Sequence, residues 1–163
     1  MSVFIIAAVT ADGFIAQDAE HLADWTSAED KKVFVELTKK AGVMIMGHTT
    51  FKTIGRALPG RRTVVMTRQQ LQLPDVEATT EEPGALIARL HSEGFKDIAI
   101  CGGQQIYTLF MKAGLVDRLY LTLEPKLFGA GMTLFNDALD CTLQLANSRQ
   151  LNRDTLLLEY EVL

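Results

Sequence analysis

The sequence predicts an α/β fold, a central and mostly parallel sheet with helices on both faces, closed by an antiparallel pair of C-terminal strands. Three observations predict it. Short apolar runs of strand character alternate along the chain with segments of helical periodicity. The first run, residues 2–9, is almost continuously apolar, as a strand covered on both faces must be. The last two runs, residues 143–149 and 156–162, read as a closing antiparallel pair.

The elements between them follow in order. Residues 10–25 form a polar loop. Residues 27–41 read as a helix, because Val33, Phe34, Leu37 and Ala41 recur at helical spacing. Residues 43–46 make a short buried strand ended by Gly47, and residues 49–54 a short helix. Leu58-Pro59-Gly60-Arg61 is turn chemistry. Residues 63–67 are a strand, and residues 82–93 a helix with Gly94 just past its end. Residues 97–101 are a strand, Gly102-Gly103 a tight turn, residues 104–113 a helix and residues 119–123 a strand. No repeat or linker interrupts the pattern, so residues 1–163 read as one domain.

Bulk properties narrow the function classes. A net charge of -4 disfavours nucleic acid and anionic membranes as main partners, since neither attracts an acidic surface. No apolar run approaches the ~20 residues a membrane helix needs, and the first residues lack the positive region of a signal peptide. Cys101 and Cys141 have no metal-ligand spacing and are too few for a disulfide framework, which fits reduced thiols in a cytoplasmic protein. His21, His48 and His91 are too scattered for a metal site or a triad, and no serine sits in a nucleophile elbow.

Asp30 is the leading candidate for chemistry. Ser27-Ala28-Glu29-Asp30 fits a capping box, in which the acid at the third helical position bonds back to the cap. Yet Asp30 precedes Phe34 by four residues and Leu37 by seven, on the stripe meant for the core, where a carboxylate is costly without a partner. Such a group is suited to binding a cationic heterocycle. Glu29 is the fallback acid if the register differs by one. Two strand-to-helix junctions, Gly47-His48-Thr49-Thr50 and Cys101-Gly102-Gly103-Gln104, offer backbone N–H groups to phosphate, although a glycine pair alone is more often a plain turn. Arg61, Arg62 and Arg68, taken singly, read as surface charge.

Together these pieces resemble the dihydrofolate reductase family over most of the chain. The most specific stretch is Met46-Gly47-His48-Thr49-Thr50-Phe51-Lys52-Thr53-Ile54-Gly55-Arg56-Ala57-Leu58-Pro59-Gly60-Arg61, similar to the family's M-G-R-x-T-[WF]-x-S-I-G-R-x-L-P-G-R signature. Ile5-Ile6-Ala7-Ala8-Val9, the Trp25 to Asp30 to Phe34 spacing, Ile100-Cys101-Gly102-Gly103-Gln104-Gln105-Ile106-Tyr107 and Leu119-Tyr120-Leu121-Thr122 match further blocks in the right order. The stretches Ala113-Gly114-Leu115-Val116-Asp117-Arg118 and Pro125-Lys126-Leu127-Phe128-Gly129-Ala130-Gly131 also resemble the reductase domain of the riboflavin-biosynthesis deaminase-reductase. The zinc signature of its deaminase half is absent.

The resemblance implies a dihydrofolate reductase-like fold and NADPH-dependent reduction of dihydrofolate to tetrahydrofolate, a step of one-carbon metabolism. Asp30 would bind the pterin at N3 and the 2-amino group and promote protonation at N5, supported by Thr122. Ile6, Ala8 and Cys101 would line the pterin, and Phe34, Ile54 and Leu58 the aminobenzoyl ring. Arg61 would pair with the carboxylate of the glutamate tail. Ala8, Ile15, Cys101, Gly102, Gly103, Gln104, Gln105, Ile106 and Tyr107 would hold the nicotinamide and pyrophosphate of NADPH. Gly47, His48, Thr49, Thr50, Thr67 and Arg68 would hold the adenosine end and its 2′-phosphate.

This sequence departs from the family in several places. His48 stands where arginine is common and Lys31 where the family is usually apolar. The loop of residues 16–24 is longer and lacks a proline before Trp25, and the family aspartate after the Leu-Tyr-Leu-Thr strand has no match near Gly129-Ala130-Gly131. A riboflavin-type reductase acting on a phosphoribosyl-aminopyrimidine is the second expectation, and a catalytically silent nucleotide-binding module the third. Leu127-Phe128 fits either core packing or a dimer contact, so the chain is expected to be a monomer or a homodimer.

Overall fold

The computed structural model describes residues 1–163. The chain runs β1 (Ser2–Thr10), β2 (Phe14–Ala16), a 3-10 turn (Ala23–Trp25), α1 (Ala28–Ala41), β3 (Val43–Gly47), α2 (His48–Ile54), β4 (Arg62–Met66), β5 (Val76–Thr79), α3 (Pro83–Ser92), β6 (Asp97–Ile100), α4 (Gln104–Lys112), β7 (Arg118–Glu124), β8 (Met132–Thr133), β9 (Leu143–Gln150) and β10 (Leu156–Val162). The main sheet has eight strands in the order β5-β4-β3-β6-β1-β7-β10-β9. From β5 to β7 all neighbours are parallel, and β10 runs antiparallel to both β7 and β9. The expected α/β architecture with its closing antiparallel strands is the one observed.

The central strands are buried because both faces are covered. Val3, Ile5, Val43, Ile45, Ile98 and Ile100 point to one face and pack with Leu86, Leu90 and Phe110 of α3 and α4. Phe4, Ile6, Met44, Met46, Ala99 and Cys101 point to the other, where Val33 and Ala41 of α1 and Phe51 of α2 meet them. Side chains alternate because a strand has period two. Ile5, Ile45 and Ile100 are fully buried, and truncating any one to alanine is expected to cost about 2–5 kcal/mol.

Three elements differ from the sequence expectation. β5 was not expected: residues 76–79 are half polar, and the strand forms because it pairs with β4 at the sheet edge. The expected polar loop of residues 10–25 contains β2, which pairs with β8 in a separate two-stranded ribbon. Strands this short carry too few residues for a readable alternation. At that ribbon Gly131 adopts φ +148°, and a Cβ there would lie 2.4 Å from the Ala16 carbonyl oxygen, so only glycine lets the two loops close.

The sheet order fixes where a ligand can bind. From β1 the chain crosses through α1 to β3 on one side, and from β6 it crosses through α4 to β7 on the other. The adjacent pair β1 and β6 is therefore the switch point of the sheet. In open α/β sheets the cleft lies outside the carboxyl ends of such a pair.

Candidate active site

Asp30 sits in the first turn of α1, directly over that cleft. Ser27 caps the helix, its hydroxyl accepting the Asp30 N–H at 3.1 Å. Only half of the expected capping box forms. The Asp30 carboxyl does not return to the Ser27 N–H, because Glu124 takes that donor at 2.9 Å. The freed carboxyl is partly buried, and burial raises its pKa above the ordinary aspartate value. The hydroxyls of Thr122 and Thr26 and the charge of Lys31 pull the other way, while Glu124 adds to the rise. Glu29, the fallback acid, turns away and accepts from Asn152 Nδ2 at 3.1 Å.

Around Asp30 the structure gathers residues from four other elements. Thr122 lies buried on β7. Tyr107, on α4, donates its hydroxyl to the Ile6 carbonyl at 2.7 Å, and its own pKa is pushed up chiefly by burial and further by the nearby Cys101 and Asp30. Cys101 follows β6, with its thiol buried against the α1 side of the sheet and its pKa raised by that burial. Ala8 is half-buried at the end of β1, and Phe34, Ile54 and Leu58 pack against the same cluster, forming an apolar wall along the cleft.

Arg61 stands at the far end of that wall. Its Nη1 donates to Thr38 Oγ1 at 2.6 Å and its guanidinium lies 6.0 Å from the Phe34 ring centroid. Its Nε is buried without a partner, and burial lowers its pKa. A planar cation with an orphaned donor, held by neutral groups only, is suited to an incoming carboxylate or phosphate. Arg62, one residue on, points to the opposite face and pairs with Glu77 and Glu93 beside Arg89, so it takes no part in the cleft.

The two glycine junctions are built against each other. Gly47 N–H donates to the Gly102 carbonyl at 2.8 Å, and Gly102–Gly103 is joined by a cis peptide bond. A Cβ on Gly102 would meet Thr50 Oγ1 at 3.3 Å and the Tyr107 hydroxyl at 3.4 Å, and one on Gly103 would meet Thr50 Oγ1 at 3.0 Å. The glycines thus keep open a narrow backbone cradle that side chains would fill. No side chain caps α2 or α4, leaving their first N–H groups to an external acceptor. Gln104 is spoken for, since its Nε2 donates to Thr133 of β8 at 3.1 Å, and the Gln105 side chain is exposed. Ile106 packs against Gly47. His48 and Thr49 open α2, while Thr67 and exposed Arg68 follow β4 along the same rim. Ile15 of β2 and Ile106 of α4 both pack against the same core cluster. This cradle, open backbone donors with hydroxyls and a cation at one end, fits a dinucleotide diphosphate.

Two polar residues of the cleft escaped sequence reading. Asp12 binds the loop after β7, its Oδ2 accepting from Gly129 N–H at 2.7 Å and its Oδ1 from Phe128 N–H at 3.2 Å. The loop that lacks the family aspartate is thus tied down by an aspartate of the loop after β1. Glu124 is the second, and its signal was an acid two residues after Thr122 in a buried strand, which puts both on one face. Phe128 is covered by Trp25 and His21 at centroid distances of 5.1 and 5.5 Å, whereas Leu127 is 76% exposed and belongs to no core. No group of three or more His, Cys, Asp and Glu side chains stands close enough to hold a metal ion, and no helix is long and apolar enough to cross a membrane.

The mostly parallel sheet, with a cleft at its strand ends, places the chain among α/β proteins that bind ligands at a switch point. The chain belongs to the dihydrofolate reductase family, whose model matches residues 2–158. It is similar to the type 3 dihydrofolate reductase of Salmonella typhimurium, 37% identical over 123 residues, 75% of this chain and 71% of that protein. Among solved structures it resembles a protein of Shewanella sp. PV-4 assigned to riboflavin biosynthesis, at TM-score 0.84 and 20% identity, covering 100% of this chain and 99% of the other. A pyrimidine reductase-like protein of Corynebacterium diphtheriae matches at TM-score 0.78 and 17% identity, covering 99% of this chain and 92% of the other. At these identities the two structures speak for the fold.

Proposed function

We propose that the protein reduces 7,8-dihydrofolate to tetrahydrofolate with NADPH. The observation that carries this reading is the Asp30 carboxyl, released from its cap and shielded at the carboxyl ends of β1 and β6. Burial raises its proton affinity above that of an ordinary aspartate, the direction a proton donor needs. Bound NADPH supplies the hydride. The cradle of Gly47, Gly102, Gly103, Thr49 and Thr50 would hold its diphosphate, with Thr67, Arg68 and His48 at the adenosine end.

Asp30 binds the pterin edge and promotes protonation at N5. Ile6, Ala8 and Cys101 confine the ring, and Tyr107 braces Ile6 from behind. Phe34, Ile54 and Leu58 pack the aminobenzoyl group and direct the glutamate carboxylate to Arg61. Fixing the rings in contact accounts for much of the expected rate. The small-molecule partner and the reduced thiols are consistent with a cytoplasmic enzyme.

A second reading has its own observation. Exposed Lys31 is adjacent to Asp30 and turns its Nζ to the Thr26 carbonyl at 2.9 Å, placing a cation one residue from the candidate acid. That cation suits a phosphoribosyl group, and the structural neighbours named above carry riboflavin-pathway and pyrimidine-reductase names. The experiment that separates the two is NADPH oxidation by the wild-type protein with each substrate. Rapid turnover of dihydrofolate is expected. Slow turnover of dihydrofolate beside rapid turnover of the phosphoribosyl-aminopyrimidine would overturn the folate reading.

A further inference from the structure

Glu124 is a buried acid that the proposed chemistry does not use. It is 3% exposed at the end of β7, and no lysine or arginine pairs with it. A carboxylate in such a place is costly unless donors meet it. Three do: Oε1 accepts the Ser27 N–H at 2.9 Å and the Ser27 hydroxyl at 2.7 Å, and Oε2 accepts the Thr155 hydroxyl at 3.3 Å. In a complete capping box the Ser27 N–H would belong to Asp30. Here an acid from another element has displaced it. The displaced carboxyl faces Thr122, two residues before Glu124 on the same face of β7, so one strand holds both the cap and the acid.

We propose that Glu124 is a positioning residue for Asp30: it replaces that acid in the cap of α1, locks the first turn to β7 through Ser27, and sets a second negative charge behind the Asp30 carboxyl. The proposal rests on reading Asp30 as the acid of the reductase. The other groups facing Asp30 are Thr122 from β7, Tyr107 from α4, Thr26 before the cap, and Lys31 on its own helix, bonded to Thr26. Cys101 lies near Tyr107 and Arg61, and Glu29 is turned to Asn152. Among these, Glu124 is the group whose negative charge opposes ionisation of Asp30. It therefore keeps the proton on Asp30 to higher pH while fixing where that proton sits.

The test is a carboxyl carbon-13 titration of the cofactor-free protein, with Asp30 assigned by its loss in Asp30→Asn. Glu124→Gln keeps an acceptor for Ser27 and removes the charge. The Asp30 midpoint is expected to move to lower pH by roughly half a unit or more, and the pH at which turnover declines should move with it. A merely structural role would lower turnover at every pH and leave the midpoint in place, so superimposable titrations would overturn the proposal. Ser27→Ala covers the case in which Glu124→Gln does not fold. It removes the shorter of the two Ser27 contacts with Glu124, leaves the backbone N–H bond and both acids, and should lower turnover about tenfold with the midpoint unmoved, as for a misplaced catalytic group. Turnover within about twofold of wild type would refute the clamp. Because the titration needs no turnover, inactivity toward dihydrofolate would defeat the functional reading alone.

Discussion

Asp12 Oδ2 accepts a hydrogen bond from Gly129 N–H at 2.7 Å, tying the loop after β1 to the loop after β7. The carboxylate is primed for this, since the Thr10 hydroxyl and the Gly129 and Phe128 amides hold its pKa below the usual value. Next to this tie, β2 and β8 form the ribbon that Gln104 anchors through Thr133. Asp12→Ala should release the ribbon from the cleft and lower turnover roughly three- to tenfold, the effect of a loosened active-site flap. Hydrogen exchange of the Phe128 and Gly129 amides should rise with it. Unchanged exchange at both amides would mean that Asp12 does not hold the loop.

Arg61 offers a sharper test of substrate. Under the folate reading, Arg61→Ala should raise the KM for dihydrofolate about ten- to a hundredfold, from loss of a charge-assisted pair. The KM for NADPH should barely move, because the diphosphate cradle involves other residues. Equal effects on both KM values would point to a general loosening of α1, where Thr38 receives the Arg61 side chain.

Cofactor choice tests the adenosine end. Arg68 is exposed beside Thr67 on the rim of the cradle of an acidic protein. A preference for NADPH over NADH is expected, and Arg68→Ala should remove about 1.5–3 kcal/mol of it, the range for a hydrogen bond to a charged group. Equal use of both cofactors by the wild type would remove Arg68 from the site.

Asp30 also links stability to pH. Its folded pKa lies above the unfolded value, chiefly through burial, so the folded state binds the proton more tightly. The resulting stabilisation is complete below about pH 4, the unfolded value, and is lost as pH rises through the folded pKa. Asp30→Asn removes this dependence. The variant should melt at a higher Tm than wild type at pH 7, with the gap closing towards pH 4. A lower Tm for the variant at pH 7 would mean that the ionised carboxylate stabilises the fold.

Much of this was legible in the chain. The continuous apolar run of β1, the helical stripe of α1 and the two glycine junctions announced the sheet and the cleft, because each is a local pattern. Asp30 could be singled out because a carboxylate on an apolar stripe is a local conflict. β5 was not legible, since Val76-Glu77-Ala78-Thr79 becomes a strand only through pairing with β4. Asp12 and Glu124 escaped for the same reason: their partners lie 117 and 97 residues away, at Gly129 and Ser27. The opposite roles of Arg61 and Arg62 depend on their partners, Thr38 of α1 for Arg61 and Glu77 and Glu93 for Arg62, which lie too far along the chain to be read locally.

The central claim is that Asp30 is the acid of an NADPH-dependent dihydrofolate reduction. The most direct measurement is the single-turnover rate of dihydrofolate reduction at neutral pH in wild type and Asp30→Asn. Asparagine keeps the size, and Ser27 still caps the helix through the residue 30 N–H, so the fold should persist. The account predicts a rate lower by on the order of a hundredfold or more, as for loss of a positioned acid. A rate within a few-fold of wild type would contradict it.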